Sequence, residues 1–333
     1  MKKKEEPNIL EDILSEQPVI PAPMAGVTDY PFRQILREMK GKLVFTEMVS
    51  SKGLIYGNQG TEQLLDFSHQ SGHLTGVQLF GEEPGIMGQA AGLLEEKFAP
   101  DIIDINMGCP TNKIVKNGAG SALMKDPENA ALVIEKVIES VNLPVTVKTR
   151  TGWDEKNKNA LTIARLACEA GVDAVTVHGR TRNQFYSGKA DWEIISEIAR
   201  EISVPVIGNG DIFTPQEAKK RFEETECSAV MVARGLQGNP WLLKRANEYI
   251  NKGTLLPAPD YEKLLNMAIY HLQQAVDYFG EQRAVPRMRS HLTWYLKGLP
   301  YANKVKDKVN KLSKFLAVKE VLQEYKHRLA EKH

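Results

Sequence analysis

Eight short apolar strands alternate with helical segments through about 230 residues, and the strands then stop. This pattern predicts an α/β protein: a (β/α)8 TIM barrel over residues 13–250 followed by an all-helical C-terminal domain over 251–333, with a polar tail at 1–12. The strands are expected at PVIPAPM (18–24), LVFTEMV (43–49), LTGVQLF (74–80), IIDINM (102–107), PVTVKTR (144–150), AVTVHG (174–179), PVIGNG (205–210) and AVMVAR (229–234). Each is rich in Val or Ile and too short for a helix. Alternation alone also admits a doubly wound open sheet; the count of eight favours the barrel.

Between the strands, GIMGQAAGLLEEKF, NAALVIEKVIESV, NALTIARLACEAG, DWEIISEIAREI and TPQEAKKRFEET have helical periodicity. Thr214 with Pro215 and Glu217 forms a start signal with a capping box, and Gly171 is a stop signal. NKGTLLPAPD is a Gly/Pro-rich linker, beyond which only helical patterns appear.

Of the 333 residues 42% are hydrophobic and 26% charged, as in soluble globular proteins. No apolar run approaches the roughly 20 residues that span a bilayer, and MKKKEEPNIL lacks the apolar stretch of a signal peptide. Cys109, Cys168 and Cys227 are too few and too scattered for a disulfide framework or a CxxC metal site. A cytoplasmic protein is therefore expected. Net charge is only +1, but it is segregated. From Trp241 onward 17 Lys and Arg face 9 Asp and Glu, while the first 240 residues hold 26 and 33. Between Arg283 and Lys319 ten basic residues are opposed by Asp307 alone. A basic module on an acidic one suggests a polyanionic partner, nucleic acid first; a solvated helical face is the alternative.

In such a barrel, chemistry sits at the C-terminal ends of the strands. Seven of the eight expected ends carry polar or glycine-bearing breaks: Met24-Ala25-Gly26, Gln78, Asn106 with Cys109, Lys148 with Arg150, His178 with Arg180, Asn209-Gly210-Asp211 and Ala233-Arg234-Gly235. Together they describe a polar mouth. Glycines cluster in GNGDI and ARGLQGNPW, where Gly210, Gly235 and Gly238 would let the backbone approach a phosphate and Arg234 could pair with it. Lys148 could face the ring of a flavin and stabilise its reduced anion, or pair with Asp104.

Cys109, in NMGCP, reads as a turn residue with a solvent-reachable thiol, whereas Cys168 and Cys227 read as packing residues. An ordinary thiol titrates at about 8.5 and is mostly protonated at neutral pH, which suits an acid over a nucleophile; a structural cysteine is the alternative. His69 and His73 are discounted as a metal pair because Ser71 and Gly72 interrupt any helix. NGAGSALM lacks the dinucleotide fingerprint, and no Walker A sequence occurs.

PAPMAGVTDYPFR, TEMVSSKGL, QLFG, DINMGCPTNKIVKNGAGSALM, VKTRTGW, HGRTRNQFYSGKADW, GNGDI, MVARGLQGNPW and RMRSHLTWYLKGLP occur in order from about Pro21 to Pro300. In these motifs the chain resembles the tRNA-dihydrouridine synthases, the bacterial B-type branch most closely. The resemblance implies an FMN-binding barrel, a helical tRNA-binding domain and NADPH as reductant. It implies that Pro23, Met24 and Ala25 line the flavin ring, that Gln78 and Lys148 contact its polar edge, and that His178, Asn209, Gly210, Asp211, Ala233 and Arg234 hold the ribityl chain and phosphate. Cys109 matches the family's proton donor. Ala233 departs from the glycine of many members, and Asn112 from a basic residue, leaving Lys113 and Lys116 in that loop to meet RNA. The implied reaction adds a hydride to C6 of uridine and a proton to C5, on a base drawn out of its stack. Arg283, Arg287, Arg289, Lys297, Lys304 and Lys306 are the expected tRNA contacts. A flavin reductase of free small molecules and an inactive RNA-binding barrel are the competing readings; the first leaves the basic domain idle, the second the intact flavin and thiol positions.

Overall fold

The structure is a computed structural model that describes residues 9–67 and 73–331; His69 of the discounted pair lies outside them. Its sheet contains β1 (Val19–Pro21), β2 (Leu43–Phe45), β3 (Val49–Ser50), β4 (Leu74–Phe80), β5 (Ile102–Met107), β6 (Val145–Arg150), β7 (Ala174–His178), β8 (Val206–Asn209) and β9 (Ala229–Val232). All pairings are parallel, in the order β1-β9-β8-β7-β6-β5-β4-β2, with β3 also on β4. The expected strand 43–49 is thus two pieces. Thr46 still donates to Gly76 O, but the chain then turns so that Glu47 meets the N–H of Gly26, and pairing resumes at Val49.

At the seam between β1 and β2, the side chain of Gln17 bridges the gap. Its Oε1 accepts from the N–H groups of Lys42 (2.6 Å) and Leu43 (3.3 Å), and its Nε2 donates to Val19 O (3.1 Å). The barrel is nearly closed, and its N-terminal end is stoppered. The tail expected over 1–12 gives way at Ile9 to a helix, Ile9–Glu16, whose Leu10, Ile13 and Leu14 pack against Ile20, Leu43, Ile102 and Ile207 at the base of the strands. The apolar residues of this helix recur at helical spacing, at 9, 10, 13 and 14, and Leu10, Ile13 and Leu14 cover surface that would otherwise be open to water.

The outer helices follow the expected segments: Pro84–Phe98, Pro127–Glu139, Ala160–Ala170, Trp192–Glu201 and Pro215–Glu224. Thr214 and Glu217 form the capping box, and Gly171 ends its helix at φ +96°. Helix Trp241–Lys252 belongs to the barrel core through Leu242, Leu243 and Ala246. Beyond Gly253, helices Tyr261–Phe279, Glu281–Tyr295, Ala302–Val309 and Phe315–Ala330 enclose a second apolar core built from Leu265, Leu272, Met288, Leu292, Val318 and Leu322.

The two cores meet at the barrel helix Tyr30–Glu38. Phe32 stacks on His271 (5.4 Å between ring centres) and lies 5.3 Å from His291; Tyr30 stacks on Tyr278 (4.7 Å). Tyr278 OH donates to Asp66 (2.6 Å) and Tyr270 OH to Glu38 (2.5 Å). Gly238, expected to approach a phosphate, instead approaches this junction. At φ +71° it lies so close to helix Glu281–Tyr295 that a Cβ would fall 2.4 Å from the carbonyl carbon of Trp294. Gly238→Ala therefore has to displace a helix backbone and strain φ, and should destabilise the protein by about 2–4 kcal/mol, measured by thermal or urea unfolding.

His271 and His291 are buried, and their ring centres lie 4.5 Å apart. Burial holds both neutral, pushing His271 well below the ordinary value and His291 down to about 3. The unfolded chain takes up protons at these positions as pH falls below about 6.5, while the folded chain does not. Stability should be complete above that pH and decline below it, by up to about 1.4 kcal/mol per pH unit for each ring. Urea unfolding at pH 7 and pH 5 checks this; His291→Leu should lessen the difference between the two.

Candidate active site

A cavity of about 320 Å³ opens at the C-terminal ends of the strands, within the range of small-molecule sites. Each expected site residue lines it: Pro23, Met24, Ala25, Gln78, Cys109, Lys148, His178, Asn209, Gly210, Asp211, Ala233 and Arg234. So do Met48, Asn106, Arg150, Phe185, Tyr186 and Phe213. They converge because parallel strands with alternating side chains send one residue in two into the barrel, and all the strands end on the same side.

A hydrogen-bonded chain crosses the floor. Thr146 Oγ1 donates to Asp104 Oδ1 (2.6 Å), Gln78 Nε2 donates to Asp104 Oδ2 (2.6 Å), and Asn106 Nδ2 donates to Gln78 Oε1 (2.7 Å). Asn106 Oδ1 then accepts the N–H groups of Gly108 (3.1 Å) and Cys109 (2.9 Å). The carboxylate at the far end fixes the orientation of both amides in turn. Gln78, expected at the edge of a cofactor, thus has both ends of its amide engaged within the protein.

The loop after β5 is held at further points. Cys109 O accepts from Ser121 N (3.1 Å) and Oγ (2.9 Å), and Arg150 Nε donates to Gly108 O (2.8 Å). Gly120, at φ +61°, passes so close that a Cβ would lie 2.9 Å from Cys109 O. Cys109 is less exposed than a turn residue was expected to be, at 9%, because the loop folds back into the mouth. Its thiol lies in the cavity wall and donates to Thr111 Oγ1 (3.3 Å). Asn112 carries no charge, but its Oδ1 accepts from Arg182 Nη2 (2.6 Å), bringing a guanidinium to this loop from the one after β7.

Positive charge dominates the cavity. Lys148, Arg150 and Arg234 line it, Arg180 lies behind, and Asp104 and Asp211 are their main carboxylate neighbours. Asp211 is committed to holding cations: it takes Arg180 Nη2 at 2.6 Å and Arg234 Nη2 at 3.0 Å, and accepts Ala190 N–H (2.8 Å). Lys148 Nζ donates to Asn209 Oδ1 (3.1 Å), with Asp104 acting on it through space. Burial, then Arg150, pushes the Lys148 ammonium below its usual range. Burial also pushes the Asp104 carboxyl up. His178 is kept neutral by burial and by Arg150 and Lys148. Burial leads each of these shifts, while the three cations in the cavity wall make the site suited to an anionic ligand.

The aromatic wall was not foreseen in the sequence. Tyr186 is 52% exposed, with Arg234 4.7 Å and Arg150 5.8 Å from its ring centre. Phe185 adopts φ +51° beside it, its carbonyl accepting from Arg150 Nη1 (2.9 Å). The only signal was an aromatic pair before Ser-Gly in a loop after a strand.

Asn106→Ala would leave two loop N–H groups and Gln78 Oε1 without their partner. The expected outcome is faster alkylation of Cys109, by about tenfold, read by mass spectrometry of iodoacetamide-treated protein; an unchanged rate would show that the loop does not depend on Asn106.

A family model described as Dihydrouridine synthase (Dus) matches residues 20–330. A probable tRNA-dihydrouridine synthase of Rickettsia bellii (strain RML369-C) is 42% identical over 307 residues, covering 92% of this chain and 94% of its own. The tRNA-dihydrouridine synthase B of Pseudomonas aeruginosa is 39% identical over 294 residues, 88% of each chain. Histamine dehydrogenase from Rhizobium sp. 4-9 shares the fold, with a TM-score of 0.53 at 15% identity over 72% of this chain and 48% of that one. With a strand-end cavity, a cysteine in its wall and a family match that runs through both cores, the chain belongs to the dihydrouridine synthase family.

Proposed function

We propose that this chain is an FMN-dependent tRNA-dihydrouridine synthase that reduces the C5–C6 double bond of uridine, with Cys109 as the proton donor. The single observation that carries the reading is a thiol held in the wall of a cation-rich barrel mouth. The residues fit a flavin mononucleotide. Lys148 on β6 brings an ammonium group to the mouth, the Gln78 amide on β4, held by Asp104 and Asn106, lines it too, and β8 and β9 follow β7 farther round the strand order. There Arg234 and the backbone of Gly210, Asp211, Ala233 and Gly235 border the cavity and suit a phosphate. Ala233 keeps its place in that wall despite its Cβ.

When bound, reduced FMN would supply the hydride that adds to C6, with NADPH as the source of its electrons. Lys148 would favour the anionic reduced ring, and its Asn209 contact holds the ammonium in place. The Cys109 thiol holds its proton at Sγ, oriented by Thr111, and delivers it to C5; solvent then restores the thiol. Pro23, Met24 and Ala25 would flank the ring, and His178, neutral by burial, would donate or accept a hydrogen bond along the ribityl chain.

Exposed Arg283, Lys297 and Lys304, with half-buried Lys306, would meet tRNA phosphate. Arg289 is bound to the protein instead, donating to Leu312 O (3.4 Å). A domain boundary near residue 250 accords with the second core. Among the described residues no helix is long and apolar enough to cross a membrane.

Cys109→Ala should keep bound flavin, visible by absorbance, while dihydrouridine formation falls by about 10²–10⁴-fold; unchanged turnover would refute the acid role. Binding of tRNA should weaken by about a thousandfold between 50 and 200 mM salt if six phosphates are contacted. A colourless protein unable to take up FMN would sink the flavin reading.

A further inference from the structure

A charged cluster between the cavity and the C-terminal helices is not used by this chemistry. Glu47 is buried at 7% exposure, just past β2. One carboxylate oxygen accepts the N–H of Gly26, and the other lies 3.8 Å from Nη2 of Arg287 on helix Glu281–Tyr295. Gly26 (φ +72°) directly follows Pro23-Met24-Ala25, the run that lines the cavity. Within that turn Met24 O accepts from Val27 N (3.1 Å) and Thr28 N (3.0 Å), and Glu47 reaches its Gly26 N–H from beyond β2.

Arg287 was expected to contact phosphate. Its guanidinium instead sits over the ring of Phe279 (4.5 Å) and beside Glu47. The nearby Arg33 is committed elsewhere, donating to Thr28 O (2.7 Å) and Asp66 O (2.6 Å). Asp29, buried next to Glu47, adds a second carboxyl that burial pushes up to about 6. A carboxylate kept out of water needs a cation or it swings out to solvent, releasing whatever its other oxygen holds. Among the described residues, Arg287 is the cation in ion-pair range of Glu47.

We propose that Arg287 is a positioning residue for the cofactor: by retaining Glu47 against Gly26 it fixes the Pro23–Gly26 turn on the flavin ring. The helical domain would then contribute to holding the flavin as well as to meeting RNA. The inference rests on the flavin reading above.

The test is FMN titration of flavin-stripped protein, followed by fluorescence without tRNA. Arg287→Ala should weaken FMN binding about tenfold, and Arg287→Lys should restore most of it. Glu47→Gln keeps an acceptor for Gly26 but needs no cation, so it should cost about threefold or less, and adding Arg287→Ala to it should cost nothing more. Lys304→Ala should leave FMN affinity unchanged. Unaltered FMN affinity in Arg287→Ala, with weaker tRNA binding and a shallower salt dependence, would mark Arg287 as a phosphate contact and overturn the proposal. Lost affinity that follows lost helical content by circular dichroism, without rescue by lysine, would overturn it too. Wild-type protein that takes up no FMN would remove the flavin reading itself, and the proposal with it.

Discussion

Asn106 joins the barrel floor to the loop that carries the thiol. Its amide nitrogen donates to Gln78, which donates to Asp104, and its amide oxygen receives the N–H groups of Gly108 and Cys109. The direction of every bond in that chain follows from one acceptor-only group, the Asp104 carboxylate, at its far end. Reversing any amide would set donor against donor in a nearly buried place, where an unpaired polar group costs about 1–3 kcal/mol. The position of Cys109 therefore depends on residues of two neighbouring strands, β4 and β5.

Charge in the mouth depends on the same depth. Burial disfavours the charged forms of both His178 and Lys148; Arg150 adds to both effects, and Lys148, Arg180 and Arg234 add to that on His178. Asp211 neutralises part of the excess and in doing so fixes the loops after β7 and β8 relative to each other. Arg150 acts similarly between the loops after β5 and β7, since its donors reach Gly108 O, Thr181 O and Phe185 O. Several cations of this site thus hold loops together while providing the field in which an anion would bind.

The junction between the two cores is equally specific. Phe32 packs against two neutral histidines that touch each other, and Gly238 leaves room for a helix backbone that a side chain would displace. With Glu47 and Arg287 on its cavity side, the junction joins the basic helices to the wall of the site.

Much was legible in the linear chain. Eight β-branched runs with helical spacing determine a parallel barrel, because periodicity and length dictate which faces are buried. The cavity residues were legible for the same reason: strand ends in a barrel converge whatever the loops do. Capping at Thr214 and Gly171 was local and therefore readable. What the tertiary structure decided involves partners far apart in sequence. Gln17 at the seam, the aromatic wall of Tyr186 and the burial of Cys109 leave no periodic trace. Gly238 and Arg287 were assigned to phosphate because glycine and arginine have the chemistry for it. Only the packed chain placed a helix backbone against the first and a buried carboxylate beside the second, because residue type sets what a group can bind, while proximity sets what it does bind.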